Sequence, residues 1–135
     1  MYLLARYRFQ LPTKADINAL QHTFSSLQIE CDTFHGSKGK EADYVVILGM
    51  HGGQFGFPST KPSAAMLEAL LPAKDLYAHS EERRLFYVAL TRAKHKVFII
   101  SDDNNRSCFV DELINEYQIE LKELKNIASK VVAQV

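Results

Sequence analysis

Apolar residues occur along the chain in short runs that polar and glycine-rich stretches separate. Four of these runs have the length and composition of β-strands, and they cover residues 2–9, 29–34, 43–50 and 95–101. The run at residues 43–50 is almost continuously apolar, which is typical of a strand that a parallel sheet buries on both faces. The pattern therefore predicts four buried strands.

Helical periodicity fills the intervals between these runs. A helix is expected to begin after Thr13, because Thr13 can serve as N-cap and Asp16 stands three residues later. Apolar residues follow at helical spacing, namely Ile17, Leu20, Phe24 and Leu27. This segment is predicted to be an amphipathic helix between the first two strands.

Four further helical segments are predicted, at residues 63–71, 81–94, 108–117 and 118–135, with Ser80 as the N-cap of the second. Strands that alternate with helices favour an α/β layer fold with a mostly parallel sheet. The expected organisation is one domain at residues 1–117 followed by a helical tail at residues 118–135.

Composition and charge narrow the function classes. The chain has 135 residues, and its 16 basic residues balance its 16 acidic ones, which gives no support to a free-standing nucleic-acid binder. The two cysteines cannot form a disulfide framework and indicate reduced thiols in the cytoplasm. The five histidines show no metal-binding spacing, and neither a signal peptide nor a bilayer-spanning run is found. No metal site and no membrane contact are expected.

The stretch GSKGKE, residues 36–41, raises the question of a phosphate-binding P-loop. Two residues separate Gly36 from Gly39 where a P-loop has four, and Glu41 stands where a P-loop has serine or threonine. The stretch is therefore not a P-loop. It is either a glycine turn with solvated charges or a loop suited to an extended polyanion. The polar side chains that would serve the second role are Thr33, His35, Ser37 and Lys38.

The helix predicted at residues 81–94 carries a second candidate. Leu85, Val88 and Ala89 form an apolar stripe, and the next position of that stripe is Arg92. Because a charge in register with a core stripe requires an anion, Arg92 is expected to leave the core edge toward a ligand or a partner domain. The alternative is a last-turn arginine that stabilises the helix through the macrodipole.

The stretch VFIISDD, residues 97–103, offers a third candidate. Four apolar residues that lead to an acid resemble a Walker B strand, whose aspartate holds Mg²⁺. Asp102, Asp103, Asn104 and Asn105 are also turn-forming residues. Because no P-loop accompanies the strand, the turn is the favoured interpretation.

Taken together, these segments resemble one family. TFHGSKGKEADYVVILG is similar to motif V of the UvrD/Rep-type superfamily-one DNA helicases, at about residues 31–49. EERRLFYVALTRAK, residues 81–94, is similar to motif VI, and LLARYRF resembles the strand that precedes motif V. The resemblance covers about residues 1–110 and is greatest to the helicase IV branch.

The resemblance implies two RecA-like lobes with ATP between them, of which this chain is the C-terminal one. The Walker A and Walker B segments, and with them Mg²⁺, would belong to the N-terminal lobe of the same polypeptide. The full-length protein would then be a cytoplasmic ATP-dependent DNA helicase of 3'–5' polarity with a role in DNA repair, and this fragment alone would be inactive. The alternative is a non-enzymatic nucleic-acid-binding or docking module that keeps the fold.

Residue roles follow from the resemblance position by position. The residues that would contact ATP are Arg92, Glu41, Gly39 and Arg84, with Arg92 as the catalytic arginine at the γ-phosphate and Glu41 at the ribose. The residues that would contact single-stranded DNA are Thr33, His35, Lys38 and Arg6. Arg84 and Tyr87 are expected to position Arg92. One departure is Lys40, which stands where UvrD and Rep have leucine.

Overall fold

The computed structural model describes residues 1–59, 79–123 and 130–135. Its strands are β1 (Tyr2–Ala5), β2 (Glu30–Thr33), β3 (Ala42–Met50), β4 (Ala93–Asp102), β5 (Leu121–Glu123) and β6 (Lys130–Gln134). Its helices within these ranges are α1 (Lys14–Thr23), α2 (Ser80–Leu90) and α3 (Cys108–Tyr117). The strands form one sheet in the order β2–β1–β3–β4–β6–β5, which confirms the predicted α/β fold.

The four strands β2, β1, β3 and β4 run parallel, as the apolar runs predicted. Tyr2 of β1 lies opposite Glu30 on one side and Val45 on the other, so β1 and β2 begin level with the middle of β3. Val45, Ile47 and Met50 are fully buried, whereas Val46, Leu48 and Gly49 are half-buried. The two faces of β3 are therefore buried unequally.

The expectation of a helical tail at residues 118–135 is wrong for the described tail residues. β6 pairs antiparallel with β4, and β5 pairs antiparallel with β6. Val131 and Val132 are β-branched, which favours a pleated strand over a helix. Ala133 is buried in the core. The sheet is therefore mostly parallel, with an antiparallel edge that the helical reading of the tail missed.

Helix α2 covers the sheet with the predicted stripe. Leu85, Phe86 and Ala89 are buried, and Val88 is half-buried. Phe109 at the start of α3 stacks on Phe86, with ring centroids 5.5 Å apart. The core thus joins α2 and α3 to the parallel half of the sheet.

The bounds of two predicted elements differ from the structure. The strand predicted at residues 2–9 ends at Ala5, because the N–H of Tyr7 donates to Gln10 Oε1 and a 3₁₀ turn follows at Arg8–Gln10. The helix predicted at residues 81–94 ends at Leu90, because Ala93 already pairs with Ala42 in the sheet. Arg92 therefore lies in the turn between α2 and β4 and not on the helix.

The helix starts were predicted with mixed success. Thr13 caps α1 as expected, with Asp16 returning a hydrogen bond, but α1 ends at Thr23 and buries none of its side chains. Ser80 is the first residue of α2, and His79, with φ 58°, occupies the N-cap position without a side-chain cap. The helix predicted at residues 63–71 lies outside the described residues.

The turn at the end of β4 settles the reading of VFIISDD. Asp102 is the N-cap of a 3₁₀ turn at Asp103–Asn105, and its Oδ1 accepts from the N–H of Asn104 at 3.1 Å. The turn interpretation is confirmed, since this carboxylate is engaged in the local backbone.

Candidate functional site

Residues 34–41, here called the crossing loop, connect two strands that point the same way. β2 ends at Thr33, level with Leu48 near the end of β3, while β3 begins at Ala42 beyond the start of β1. The loop must therefore run from the carboxyl edge of the sheet back to its amino edge. Its first polar residue, His35, and its last, Glu41, are consequently at opposite edges.

A cavity at the carboxyl edge gathers most of the predicted DNA-binding residues. Arg6 follows β1 and His35 follows β2, and Arg6 Nη1 lies 3.2 Å from His35 Nδ1. The cavity measures about 230 Å³. It is lined by Arg6, His35, Lys38, Glu81, Glu82, Arg84, Leu85 and Val88. The structure thus brings Arg6, His35 and Lys38 together with Arg84, and we call this space the edge cavity.

The surroundings of the edge cavity disfavour the protonated form of His35, so its pKa lies below the ordinary value. Partial burial lowers the pKa of His35 below its ordinary value, and the nearby cations Arg6 and Lys38 lower it further, against a small opposing effect of Glu81. The neutral imidazole can both donate and accept a hydrogen bond. His35 therefore enters the cavity as a hydrogen-bonding group beside two fixed cations.

Thr33, also predicted to bind DNA, does not line the edge cavity. Its Oγ1 accepts from the N–H of Gly36 at 3.2 Å. Ser37 is buried and its hydroxyl donates to the carbonyl oxygen of Phe34 at 2.8 Å. These two side chains fix the turn that begins the crossing loop, so in this structure they shape the loop from within.

At the other end of the crossing loop, Arg92 donates to neutral acceptors alone among the residues that the structure describes. Nε donates to the carbonyl oxygen of Val88 at 2.9 Å, Nη1 to that of Lys40 at 3.2 Å, and Nη2 to Thr91 Oγ1 at 3.1 Å. Its own carbonyl accepts from the N–H of Ala42 at 2.9 Å. No carboxylate among the described residues is within ion-pair distance of its guanidinium. Arg92 therefore joins α2 to the crossing loop while its charge stays uncompensated.

Glu41 occupies the exposed end of the same loop. Its side chain is 61% exposed, and its carboxylate lies 3.9 Å from Lys94 Nζ. Both residues line a second cavity, of about 190 Å³, at the amino edge of the sheet. Gly39, two residues earlier, has φ +76°, a conformation that favours glycine. Arg92 and Glu41 thus flank one loop end, and Glu41 is accessible to a ligand.

Comparison with known proteins matches the same segments. The family described as UvrD-like helicase C-terminal domain matches residues 10–104, which include both the crossing loop and α2. This chain belongs to that family. It is also 44% identical over 113 residues to DNA helicase IV of Escherichia coli (strain K12), over 84% of this chain and 16% of that protein. The chain therefore spans about a sixth of the length of this relative. No solved structure matches.

In this UvrD-like helicase C-terminal domain, Thr91 connects the main chain of Tyr87 to the side chain of Arg92. Tyr87 is 66% exposed, and its carbonyl oxygen, not its ring, accepts from Thr91. Thr91 in turn accepts from Arg92 Nη2. Arg84 lies six residues before the end of α2, about 9 Å away along the helix axis. Thr91 is thus a further residue that orients Arg92, and the expected roles of Tyr87 and Arg84 stay predictions.

Glu82 is a site residue that sequence reasoning placed only at a helix start. Its Oε2 accepts from the N–H of Ser59 at 2.7 Å, and its Oε1 lies 3.5 Å from Arg6 Nε. Glu82 therefore links α2 to the segments that follow β1 and β3. Its neighbours are distant in sequence, so the only available signal was an acidic residue beside a stripe that faces the sheet.

Lys40 is the departure from UvrD and Rep, and the structure gives it a partner. Its Nζ donates to Asp32 Oδ2 at 2.7 Å. Burial acts to raise the pKa of Asp32, but the hydrogen bonds from Lys40 and from the N–H of Thr33 outweigh it, so this pKa lies below its ordinary value. The same pair raises the pKa of Lys40. The ion pair ties the late part of the crossing loop to the strand from which the loop departs.

Two absences concern the described part of the domain. Within residues 1–59, 79–123 and 130–135, no three histidine, cysteine or acidic side chains converge as metal ligands. None of the helices in these ranges combines the length and apolar character needed to cross a bilayer.

Proposed function

We propose that this domain is the second RecA-like lobe of an ATP-dependent DNA helicase with 3'–5' polarity. In this proposal it completes an ATP site that the N-terminal lobe of the same polypeptide begins, and it forms part of the single-stranded DNA channel. Membership of the UvrD-like helicase family supports the helicase assignment. The site rests on one observation: the half-buried side chain of Arg92 bridges two motifs and has no anionic partner within residues 1–59, 79–123 and 130–135.

The residues at the amino edge fit one side of a nucleotide. Bound ATP would supply the phosphoryl group that is transferred to water. Arg92 would hold and neutralise its terminal phosphate, because a guanidinium stabilises charge that develops there. Glu41, exposed beside it, would accept hydrogen bonds from the ribose hydroxyls. The turn at Gly39 would leave room for close approach of the nucleotide.

Among the described residues, no three histidine, cysteine or acidic side chains converge. In this proposal Mg²⁺ would be held mainly by the N-terminal lobe, and the residues of this chain would bind the nucleotide around it.

The carboxyl edge would carry the DNA. Arg6 and Lys38 would pair with phosphates, and neutral His35 would donate a hydrogen bond to a phosphate oxygen. Thr33 would contribute by fixing the loop turn. Arg84 was assigned to the nucleotide, but it lines the edge cavity with these residues, and this position favours contact with the same polyanion.

A pair of variants in the full-length protein tests both parts of the proposal, the ATP contact and the DNA contact. Arg92→Ala is expected to abolish DNA-stimulated ATP hydrolysis while single-stranded DNA still binds. His35→Ala is expected to weaken DNA binding while basal hydrolysis persists. ATPase assays and fluorescence anisotropy with oligothymidine measure the two activities. If both variants lost both activities equally, the two edges would not be separate sites and the assignment would be wrong.

A docking module that keeps the fold is the second candidate. It is favoured by α1, which buries none of its side chains and leaves Leu20 and Phe24 exposed. The complete protein distinguishes the two functions, since a helicase requires a G-x-x-x-x-G-K-[ST] segment in its first lobe. An N-terminal lobe without that segment would favour docking.

A further inference from the structure

Two exposed aromatic rings, Phe9 and Phe55, and one half-buried ring, Tyr7, lie together beside the edge cavity. Tyr7 and Phe9 are stacked, with centroids 5.3 Å apart and an interplanar angle of 10°. Phe55 meets both rings edge-on, at 6.3 Å from Tyr7 and 5.8 Å from Phe9. Phe9 is 69% exposed and Phe55 48% exposed. A contiguous exposed aromatic group of this kind, here called the aromatic cluster, is typical of a binding surface.

The aromatic cluster is held together by one polar side chain. Gln10 Oε1 accepts from the N–H of Tyr7 at 3.1 Å, and Gln10 Nε2 donates to the carbonyl oxygen of Phe55 at 2.9 Å. Gly49 leaves the space for this side chain, since a Cβ at that position would lie 2.6 Å from Gln10 Nε2. The segments after β1 and β3 are therefore fixed relative to each other, and the rings are presented in a defined arrangement.

The aromatic cluster is continuous with the edge cavity. The guanidinium carbon of Arg6 lies 5.6 Å from the centroid of the Tyr7 ring, and the same guanidinium contacts His35. Arg6 Nε is shielded from solvent and makes no hydrogen bond with the described residues, although Glu82 lies 3.5 Å away. Because β1, β2 and β3 are parallel, the residues that follow them, namely Arg6, Tyr7, His35 and Phe55, lie at one edge of the sheet.

Cations beside exposed rings match the chemistry of an unpaired strand. Proteins that hold single strands combine positive charge along the backbone with aromatic rings on which bases stack. Duplex bases are already stacked on each other and present no free face. The geometry therefore favours single-stranded DNA over a protein surface, which would not need the adjoining cations.

We propose that Phe9 and Phe55 form a stacking platform for unpaired bases of the DNA strand whose phosphates lie along Arg6, His35 and Lys38. The proposal rests on the DNA site proposed above and adds a base-binding subsite to it. The platform is sequence-tolerant, because every base offers a face to a ring. Tyr7 lies between Phe9 and Arg6 and supports the platform by stacking on Phe9.

The test compares two probes on the full-length protein. One probe is fluorescent oligothymidine, and the other is an abasic oligonucleotide with the same number of phosphates. Phe9→Leu and Phe55→Leu remove a ring and keep an apolar side chain. Tyr117→Leu is the matched control, because Tyr117 is a 70% exposed ring on α3. Melting temperatures verify that all variants are folded.

The two Phe variants are expected to weaken oligothymidine binding by about tenfold each and to leave abasic binding unchanged. The control should change neither. Equal losses on both probes would mean that the cluster acts through folding or through an apolar contact with another lobe, and would overturn the proposal. Unchanged affinity for both probes would also overturn it. His35→Ala should weaken the binding of both probes. The proposed DNA site would therefore still be supported if the stacking platform were disproved.

Discussion

The guanidinium of Arg92 combines two properties that a helix-end residue alone does not need. It donates to the carbonyl oxygen of Val88, as a C-terminal capping arginine would, and also to that of Lys40, in another motif. Both acceptors are neutral, so the positive charge is oriented by the fold and remains available to an anion. The two interpretations of Arg92 are therefore compatible. Contacts at the helix end fix the side chain, and in the catalytic proposal the charge that they orient binds a phosphate.

Substitution of Arg92 by lysine separates these roles. Arg92→Lys keeps the charge but loses the planar fork, so kcat for DNA-stimulated ATP hydrolysis in the full-length protein should fall by about 10³- to 10⁵-fold, close to Arg92→Ala. The Kd for ATP should change much less, because the first lobe still holds the triphosphate. Steady-state kinetics and nucleotide titration measure both. Normal kcat with a lower Tm would show that Arg92 only ends a helix.

The lowered pKa of His35 predicts a pH dependence. Because His35 is neutral near pH 7, protonation below its ordinary value of 6.5 would add a charge toward DNA. The affinity of the full-length protein for oligothymidine should therefore rise as pH falls through this pKa, and His35→Gln should remove the rise. His22→Gln, on exposed α1, is the control. An unchanged pH profile in His35→Gln would exclude His35 from the DNA contact.

The lowered pKa of His35 also makes the stability of the fold depend on pH, in the opposite direction to DNA affinity. A depressed folded-state pKa means that the unfolded chain takes up the proton first as pH falls. His35 therefore stabilises the fold above its ordinary pKa, and this contribution is lost on acidification. Acid should strengthen DNA binding and weaken the fold through one side chain.

Sequence patterns pointed to these residues but did not give their positions in the fold. The arginine after the apolar stripe was expected to leave the core edge, and the structure orients it by contacts that the pattern did not contain. It lies in a turn, because pairing of Ala93 with Ala42 ends the helix early. The role of Glu82 depends on Arg6 and Ser59, which are distant in sequence and are brought to it by the fold, so helical spacing alone could not reveal it.

At the scale of elements, the crossing loop is held in place by contacts with β2 and with the turn that follows α2. Asp32 contacts it twice, through the ion pair with Lys40 and through close packing on Gly36, where a Cβ would lie 2.1 Å from Asp32 Oδ1. Arg92 contacts it at the other side, through the carbonyl oxygen of Lys40. The loop is thus fastened to β2 and to the end of α2.

Replacing Lys40 by the leucine of UvrD and Rep should loosen this attachment. Lys40→Leu leaves Asp32 without its cation, so the folded-state pKa of Asp32 should rise. The variant should be less stable than the wild type at pH 7, and the difference should shrink as pH falls through the folded-state pKa of Asp32, which lies below 3.8. Chemical denaturation across pH measures this. Lys14→Leu, on α1, controls for loss of a lysine, and a pH-independent difference would argue against the pair.

The elements themselves were predictable where local pattern decides. The apolar runs predicted at residues 43–50 and 95–101 lie within β3 and β4, and α3 has the predicted bounds of residues 108–117. The C-terminal strands were not predicted, because β6 becomes a strand by pairing with β4, and that partner is distant in sequence. The path of the crossing loop likewise depends on strand order, which no local pattern encodes.

At the scale of the whole molecule, the proposed ATP site is incomplete within this chain. We expect the purified 135-residue chain to show no steady ATP hydrolysis, with or without DNA. Positioning and charge neutralisation carry phosphoryl transfer, and the described residues offer an arginine but no metal-binding cluster. A phosphate-release assay measures this, with Arg92→Ala as the control for contaminating ATPase. Turnover that Arg92→Ala abolishes would show that the chain needs no second lobe.

The crossing loop also constrains the energetics of the whole protein. It has His35 at one edge of the sheet and Glu41 at the other, within a single stretch of backbone. If nucleotide at Glu41 changes the affinity for DNA at His35 by some factor, DNA must change the affinity for nucleotide by the same factor, because the two paths around a thermodynamic cycle sum equally. A protein that releases DNA on binding ATP would therefore release ATP on binding DNA. Directional movement cannot come from this binding cycle alone and requires the irreversible chemical step between its states.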